Sequence, residues 1–198
     1  MVRNIWAVGR NYADHAKELG NAVPAPAGEP MIFLKAGSCV VPAGEAIRLP
    51  SFSQEVHHEA EVALRFGPGL KFDAITIALD LTARDWQVKL KAAGHPWTLA
   101  KSFANSCPLG NFVKIPDGTD LQNLEFSLKV NGEVRQAGRT ADMIHGIEKL
   151  RNYVIERFPV VEGDVLLTGT PAGVARMQSG DRMEASIKGL IEARWVVA

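Results

Sequence analysis

The chain has 198 residues, and its 22 basic and 22 acidic side chains give a formal net charge of +0. This balance gives nucleic acid and anionic membranes no electrostatic hold, so we expect neither as a partner. No apolar run approaches the roughly 20 residues of a membrane span, and the N-terminal residues favour a strand over a signal peptide. The length predicts a single domain over residues 1–198, and the composition predicts a cytoplasmic enzyme or binding protein.

The first half of the chain is predicted to alternate short strands with two helices. A strand at 5–8 leads into a short helix that Asn11 caps and Gly20 ends. Strands follow at 31–35 and around Glu59 and Glu61, and a tight turn at 67–69 precedes a strand at 74–81. A capping box over residues 82–85 predicts a second helix that ends near residue 93.

The second half is predicted to hold a hairpin, one helix and a closing run of strands. Asn131-Gly132 favours a turn between strands at 124–130 and 133–135. A helix is predicted at 143–157, and a strand at 165–168 enters the turn Gly169-Thr170-Pro171 before two final strands. Because short strands outnumber helices, the predicted fold class is β-rich α+β. The two cysteines, Cys39 and Cys107, are too few for a disulfide framework and are expected to be buried packing residues.

Two glutamates in one predicted strand suggest a metal site. Glu59 and Glu61 are two residues apart, so their carboxylates project from the same face of a strand. Two buried like charges repel each other unless a cation lies between them, and oxygen ligands suit Mg²⁺ or Mn²⁺ better than zinc. His57 has the same strand parity and is a further candidate ligand by spacing alone.

Six ordered motifs carry a family resemblance that spans nearly the whole chain. They are Gly9-Arg10-Asn11-Tyr12-Ala13-Asp14-His15, Phe33-Leu34-Lys35, His57-His58-Glu59-Ala60-Glu61, Leu79-Asp80-Leu81-Thr82-Ala83-Arg84-Asp85, Pro96-Trp97-Thr98-Leu99-Ala100-Lys101-Ser102-Phe103 and Leu167-Thr168-Gly169-Thr170-Pro171. The chain resembles the fumarylacetoacetate hydrolase family, most closely its single-domain acylpyruvase and fumarylpyruvate hydrolase branch. The resemblance implies a mixed β-sandwich roll of the C-terminal-domain type, a Mg²⁺ or Mn²⁺ ion and a homodimer.

The same resemblance implies the ligands of that metal. Carried over by position, they are Glu59, Glu61 and Asp80, and the family pattern leaves His57 out. Three carboxylates nearly neutralise a divalent ion and leave coordination sites for substrate oxygens and water. Many relatives have about ten more residues between Glu61 and Asp80. This shortening is expected to alter the rim of the pocket or the dimer edge rather than the ligands.

The resemblance also implies the residues that act on the substrate. His15 and Glu18 lie three apart on one helix face, and the matching family pair activates the attacking water. Lys101 matches a lysine that stabilises an oxyanion or enolate. Arg84 is a cation in a first helical turn, where the helix dipole disfavours it by about 0.3–1 kcal/mol, so a functional role is expected. The predicted substrate-binding residues are Arg10, Arg84, Gln87 and Thr170.

The predicted activity is hydrolysis of a C–C bond in 2,4-dioxo acids. An acylpyruvate would give pyruvate and a carboxylic acid. Fumarylpyruvate, which occurs in aromatic catabolism, is an example of such a substrate. An alternative on the same scaffold is decarboxylation or tautomerisation of oxaloacetate, or an isomerase or decarboxylase of aromatic catabolism. A remote alternative is a binding homodimer without catalytic activity. The intact His15–Glu18 pair favours hydrolysis among these.

Overall fold

The computed structural model describes residues 2–198, which form many short strands and few helices. The strands are β1 Asn4–Gly9, β2 Met31–Ala36, β3 Val40–Pro42, β4 Ala46–Ile47, β5 Val56–His58, β6 Ala60–Phe66, β7 Phe72–Leu79, β8 Thr82–Ala83, β9 Cys107–Leu109, β10 Val113–Lys114, β11 Glu125–Val130, β12 Glu133–Arg139, β13 Val165–Leu167, β14 Ala175–Arg176, β15 Arg182–Ile187 and β16 Ile191–Val197. The α-helices are α1 Ala13–Glu18, α2 Arg84–Ala92, α3 Thr98–Lys101 and α4 Ile147–Arg157.

The largest sheet is mixed and runs in the order β2-β1-β13-β6-β7-β9-β3, with β10 also paired to β7. Strands β1 and β13 are parallel, and β6 and β7 form an antiparallel hairpin. A short 3₁₀ turn at Pro68–Leu70 joins those two strands. The tight turn predicted at 67–69 is therefore present, and it explains how the shortened segment between Glu61 and Asp80 closes.

A five-stranded sheet, in the order β12-β11-β15-β16-β4, packs against the first sheet. Strands β15 and β16 lie against β7, and β11 lies against β6. In β11 the residues Phe126, Leu128 and Val130 are buried, whereas Glu125 and Lys129 are exposed. This alternation is what one buried sheet face requires. Each large apolar side chain so buried contributes about 1.5–3 kcal/mol.

Helix α4 covers the other face of the first sheet. Its Leu150 and Val154 pack on Trp6 and Leu166, which come from the adjacent strands β1 and β13. No helix among residues 2–198 is long and apolar enough to cross a membrane. A third, three-stranded sheet, in the order β14-β5-β8, lies next to the point where β5 ends and β6 begins.

Both cysteines are buried, as predicted. Cys39 and Cys107 belong to one small apolar cluster beside Ile5 and Leu167. Burial raises the pKa of the Cys107 thiol to about 12, so it stays protonated at neutral pH.

The β-rich α+β class is confirmed, but the predicted helix caps are wrong. Asn11 does not cap α1, because its side-chain amide donates to the carbonyls of Thr168 and His145 instead. Thr82 does not cap α2, since it lies in β8 and its hydroxyl donates to the carbonyl of Asp80. Helix α4 begins at Ile147 rather than 143, because a 3₁₀ turn and an extended segment precede it.

Candidate active site and metal centre

The structure brings three buried carboxylates together where β6 and β7 meet. Glu59 lies between β5 and β6, Glu61 lies in β6, and Asp80 follows β7 directly. The Asp80 backbone N–H donates to the Glu59 carbonyl at 2.8 Å, which fixes the two chain segments side by side. One carboxylate oxygen of each residue lies within 4.8 Å of the others. These are the three residues that the sequence predicts as metal ligands.

Two buried lysines neutralise part of this negative charge. The Lys101 ammonium, at the end of α3, donates to Glu59 Oε2 at 2.8 Å, Asp80 Oδ2 at 2.6 Å and Thr82 Oγ1 at 2.7 Å. Burial alone lowers the pKa of Lys101, but Asp80 and Glu59 outweigh it and raise that pKa. Lys101 is therefore held as a cation and can donate hydrogen bonds but not accept a proton.

Lys35 is the second buried lysine, and the sequence analysis assigned it no role. Its ammonium donates to Asp80 Oδ1 at 2.8 Å and to the carbonyls of Leu81 and Lys101. Lys35 thus holds Asp80 and the end of α3 in place. The sequence does contain a signal for this role, a lysine inside a predicted apolar strand. A lysine is rarely buried unless it is paired with another group.

The glutamates differ in how their charge is compensated. Burial raises the pKa of Glu59, but Lys101 and Arg84 outweigh it and hold that pKa well below its usual range. Burial and the nearby charges of Asp80 and Glu59 raise the pKa of Glu61 well above its usual range. Within residues 2–198, the Glu61 carboxylate accepts one hydrogen bond, from the Gly169 N–H at 2.6 Å, and has no salt bridge.

This arrangement fits a divalent cation. The donor set is all oxygen, which suits Mg²⁺ or Mn²⁺. A buried carboxylate without a cationic partner is costly, and a metal ion at the position shared by the three oxygens would remove that cost for Glu61. The residues present therefore match the chemistry of a hard divalent ion.

His15 lies beside the acidic group and is neutral. It is 5% exposed, and its Nδ1 lies 3.4 Å from Glu18 Oε2. Burial lowers the pKa of His15, although Glu59 and Glu18 both act to raise it. Glu18 also accepts a hydrogen bond from the Gly173 N–H, which ties α1 to the loop after β13. An Nδ1–H donated to Glu18 leaves Nε2 as the basic ring atom.

The remaining predicted residues line a cavity of about 40 Å³ next to these groups. Its walls include Arg10, His15, Glu59, Glu61, Arg84, Gln87, Lys91, Lys101 and Thr170. The Arg84 guanidinium donates to Glu59 and to Gln87 Oε1, which explains its place in a first helical turn. Arg10 has φ 58, an uncommon left-handed conformation for a residue with a side chain.

His57 and His58 lie outside the acidic group. His57 Nε2 contacts Glu55 Oε2 at 3.3 Å, and its half-buried ring stays at the protein surface. His58, whose strand parity is opposite to that of Glu59's neighbours His57 and Glu61, is buried with Nδ1 at 3.1 Å from Gln136 Oε1. Gln136 was also missed by the sequence analysis, because it lies in a hairpin strand far from every motif.

Nearly all of the described residues match one known protein family. Residues 4–198 match the family described as fumarylacetoacetate (FAA) hydrolase C-terminal. The chain belongs to the fumarylacetoacetate hydrolase family. Its resemblance to that family is therefore confirmed, as is the mixed β-sandwich roll of the C-terminal-domain type.

Family members with assigned activities are similar over almost their full length. The chain is 44% identical to oxaloacetate tautomerase YcgM of Escherichia coli (strain K12), over 95% of this chain and 90% of that protein. It is 41% identical to mitochondrial oxaloacetate tautomerase FAHD1 of Bos taurus, over 98% and 91%. A crystal structure of fumarylpyruvate hydrolase from Pseudomonas aeruginosa, in complex with Mn²⁺ and pyruvate, superimposes with a TM-score of 0.92 at 31% identity, over 100% and 90%.

These relatives sharpen the functional prediction. The family contains both hydrolases and tautomerases, and these relatives support the prediction that the protein is an enzyme. The tautomerases have the higher sequence identity, and they favour the alternative activity over the predicted hydrolysis. The roles of the individual site residues stay predictions.

Proposed function

We propose that the protein is a divalent-metal-dependent oxaloacetate tautomerase, which interconverts the enol and keto forms of this 2-oxo dicarboxylate. The observation that carries the proposal is the buried group Glu59, Glu61 and Asp80 beside a neutral His15. The tautomerase relatives at 41% and 44% identity support the choice of substrate.

Glu59, Glu61 and Asp80 would hold the metal ion, for which we propose Mg²⁺ or Mn²⁺. When bound, such an ion acts as a Lewis acid that polarises the 2-oxo group and so makes the C3 protons more acidic. The fumarylpyruvate hydrolase structure with Mn²⁺ and pyruvate supports this choice of ion.

The charges around the cavity suit a dianion. Arg10, Arg84, Lys91 and Lys101 all line it, and a divalent ion would add to their positive charge. The three carboxylates offset part of this charge, so an anionic ligand is needed to balance the rest. We assign Arg10, Arg84, Gln87 and Thr170 to substrate binding on this basis.

The proton transfer is assigned to His15. In enolisation the neutral imidazole accepts a proton from C3, the C–H electron pair forms the C2=C3 double bond, and the C=O π electrons move to the C2 oxygen. The imidazolium then gives a proton back to that oxygen by way of water, which returns His15 to its neutral form. Glu18 fixes the tautomer of His15 and supports the imidazolium that forms. Lys101, held as an ammonium ion whose three N–H groups are directed at Glu59, Asp80 and Thr82, would stabilise the growing negative charge of the C2 oxygen through its positive charge. Ketonisation is the reverse.

The test is the rate at which enol absorbance decays in a solution of enol-oxaloacetate. Wild-type protein with Mg²⁺ should accelerate the decay without releasing pyruvate, and EDTA should abolish the acceleration. Glu61→Gln should be inactive, whereas Glu45→Gln, a matched change at an exposed glutamate, should have wild-type activity. Decay at the rate of buffer with Mg²⁺ alone would refute the proposed function.

Hydrolysis of acylpyruvates is the second candidate, because a base that accepts a C3 proton can also activate water. The His15–Glu18 contact favours it, and it is the activity of the solved fumarylpyruvate hydrolase relative. Release of pyruvate from acetylpyruvate and fumarylpyruvate measures this activity. His15→Ala should lower it by roughly 10²–10⁴-fold while Mg²⁺ binding is retained.

We also propose that the protein is a cytoplasmic homodimer, as the sequence analysis expects. The wild-type mass in solution, measured by light scattering after size-exclusion chromatography, tests the dimer. A mass of 21.5 kDa would show a monomer, and twice that mass would show the dimer.

A further inference from the structure

Gln136 joins the five-stranded sheet to the active site through four hydrogen bonds. It lies in β12 and is 1% exposed, yet none of the hydrogen-bond partners of its side chain belongs to β12 or to the neighbouring strand β11. Its Oε1 accepts from the Ala60 N–H at 3.0 Å and lies 3.1 Å from His58 Nδ1. Its Nε2 donates to the Pro171 carbonyl at 3.0 Å and to Thr170 Oγ1 at 2.8 Å.

These partners fix the orientation of the Gln136 amide. The Ala60 N–H can only donate, so the atom that faces it must be the amide oxygen. The Pro171 carbonyl can only accept, so the atom that faces it must be the amide nitrogen. It follows that Thr170 Oγ1 accepts a hydrogen bond from Nε2, and that His58 carries its proton on Nδ1.

The orientation of Gln136 decides what the Thr170 hydroxyl can do. Because this oxygen accepts from Gln136, its own proton must point to a different acceptor. Within residues 2–198 the hydroxyl makes no second hydrogen bond, and Thr170 lines the cavity beside His15 and Glu61. The proton is therefore available to a ligand in the cavity, where an anionic oxygen is the strongest acceptor.

We propose that Gln136 is a positioning residue that makes Thr170 a hydrogen-bond donor to a carboxylate oxygen of the substrate. The inference rests on the proposed function, in which the cavity takes a 2-oxo carboxylate. The same amide oxygen holds the backbone of Ala60, which lies between Glu59 and Glu61. One side chain thus sets the direction of a substrate donor and the position of two predicted metal ligands.

Gln136→Glu separates these two roles. In its ionised form the introduced carboxyl keeps an oxygen for Ala60 and His58 but offers no donor to Thr170 or to the Pro171 carbonyl. The threonine proton then turns away from the cavity and toward the new carboxylate. We expect the KM for oxaloacetate and the Kd of oxalate to rise about tenfold, the effect of one charge-assisted hydrogen bond. We expect kcat and the Kd of Mg²⁺ to stay within about threefold of wild type, whereas damage to the fold would change these as well.

Thr170→Val and Thr170→Ser provide the controls. Thr170→Val removes the hydroxyl with little change in shape and should match Gln136→Glu, and Thr170→Ser should restore wild-type values. In the double variant Gln136→Glu/Thr170→Val, the change at Gln136 should not raise the KM or the oxalate Kd further, because its effect depends on the Thr170 hydroxyl. Equal effects of Gln136→Glu with and without the hydroxyl would overturn the proposal, as would unchanged KM and oxalate Kd in either single variant.

The failure of this proposal can be told apart from the failure of the proposed function. Wild-type protein without activity on oxaloacetate or acylpyruvates would refute the function. Calorimetric binding of oxalate to the Mg²⁺-loaded protein needs no turnover, so it still decides the role of Gln136. If Gln136→Glu does not fold, the oxalate Kd of Thr170→Val decides alone, because an unchanged value would leave Gln136 no donor to position.

Discussion

A buried carboxylate lies beside each end of strand β13. Asp164 precedes the strand, and Glu61 of the neighbouring strand β6 lies at its far end, but the hydrogen-bond partners of the two acids differ. At the start of the strand, Asp164 accepts from the Asn4 N–H and side-chain amide, the Trp6 indole N–H and the Val161 N–H. At the far end, Glu61 accepts only the Gly169 N–H among residues 2–198. Asp164 is 0% exposed and Glu61 is 1% exposed, so burial does not distinguish them.

The difference lies in how many of the carboxylate lone pairs are satisfied. A carboxylate offers about four acceptor positions, and neutral donors fill those of Asp164. Glu61 keeps most of its positions free next to two other acids. A saturated buried carboxylate stabilises the fold, whereas an unsaturated one is available for a ligand. This contrast separates a structural acid from a functional one without reference to any relative.

The largest effect is expected from Glu61→Gln, which changes the acid at the far end of β13, here called the functional end. The amide keeps an oxygen for the Gly169 N–H but loses a metal ligand, so tautomerase activity should fall by at least about a thousandfold, or ~4 kcal/mol. Thermal unfolding without metal should occur at an equal or higher temperature, because a buried repulsion is removed. A variant that binds Mg²⁺ with wild-type affinity in calorimetry would break the contrast.

Lys35→Met tests whether the acids at the functional end depend on buried cations. Removing Lys35 breaks one of the two buried ion pairs of Asp80, leaves its Oδ1 without a donor and keeps only the pair with Lys101, a loss that typically costs about 3 kcal/mol. Urea unfolding should show this loss without metal and a smaller loss at saturating Mg²⁺, because the ion replaces part of the missing charge. Lys188→Met, at an exposed pair with Glu125, should change stability by less than about 0.5 kcal/mol. Equal losses with and without Mg²⁺ would contradict the prediction.

Asp164→Asn tests the structural end and should show the reverse pattern. The new amide nitrogen faces N–H donors, so at least one buried hydrogen bond to a charged acceptor is lost, at about 2 kcal/mol. The free energy of unfolding should fall by that amount, while the Mg²⁺ affinity and kcat of the folded protein stay at wild-type values. Asp117→Asn at an exposed loop position is the matched control. Lower metal affinity with unchanged stability would remove the distinction between the two ends.

The smallest effect is expected from pH and involves His145, whose carbonyl Asn11 ties to the functional end of β13. Burial, and then the charge of Lys149, lower the pKa of His145. The unfolded chain therefore binds a proton that the folded protein excludes. This contribution is complete above the unfolded pKa of about 6.5 and is lost as the pH falls through the folded value. His145→Gln should flatten the stability profile between pH 7 and 5, by at most about 1.4 kcal/mol per pH unit. An unchanged slope would show that folding does not shift the pKa of His145.

Much of the fold could be predicted from local pattern. The hairpin at Asn131-Gly132 follows from its turn residues, and the strands follow from alternating burial. The helix caps were mispredicted because both cap-forming side chains have other partners. Asn11 donates to the distant carbonyl of Thr168, and the Thr82 hydroxyl donates to the nearby Asp80 carbonyl and accepts from Lys101. Such competition depends on tertiary contacts, which spacing along the chain does not reveal.

The candidate site shows the same division. The convergence of Glu59 and Glu61 follows from strand parity, and the remaining residues came from ordered family motifs. Lys35 and Gln136 were missed because their roles depend on partners 34 or more residues away. The choice between tautomerase and hydrolase was also not available, because both reactions need the same metal ligands and the same base.

The buried state of Cys39 and Cys107 has a practical consequence for measuring movement of the site. With both thiols enclosed, and the pKa of Cys107 raised to about 12, a maleimide dye has no reactive native target in the folded protein. A cysteine introduced at the exposed position Lys17 on α1 would then be the single labelled group. Fluorescence from that dye would report whether the surroundings of α1 change when substrate binds.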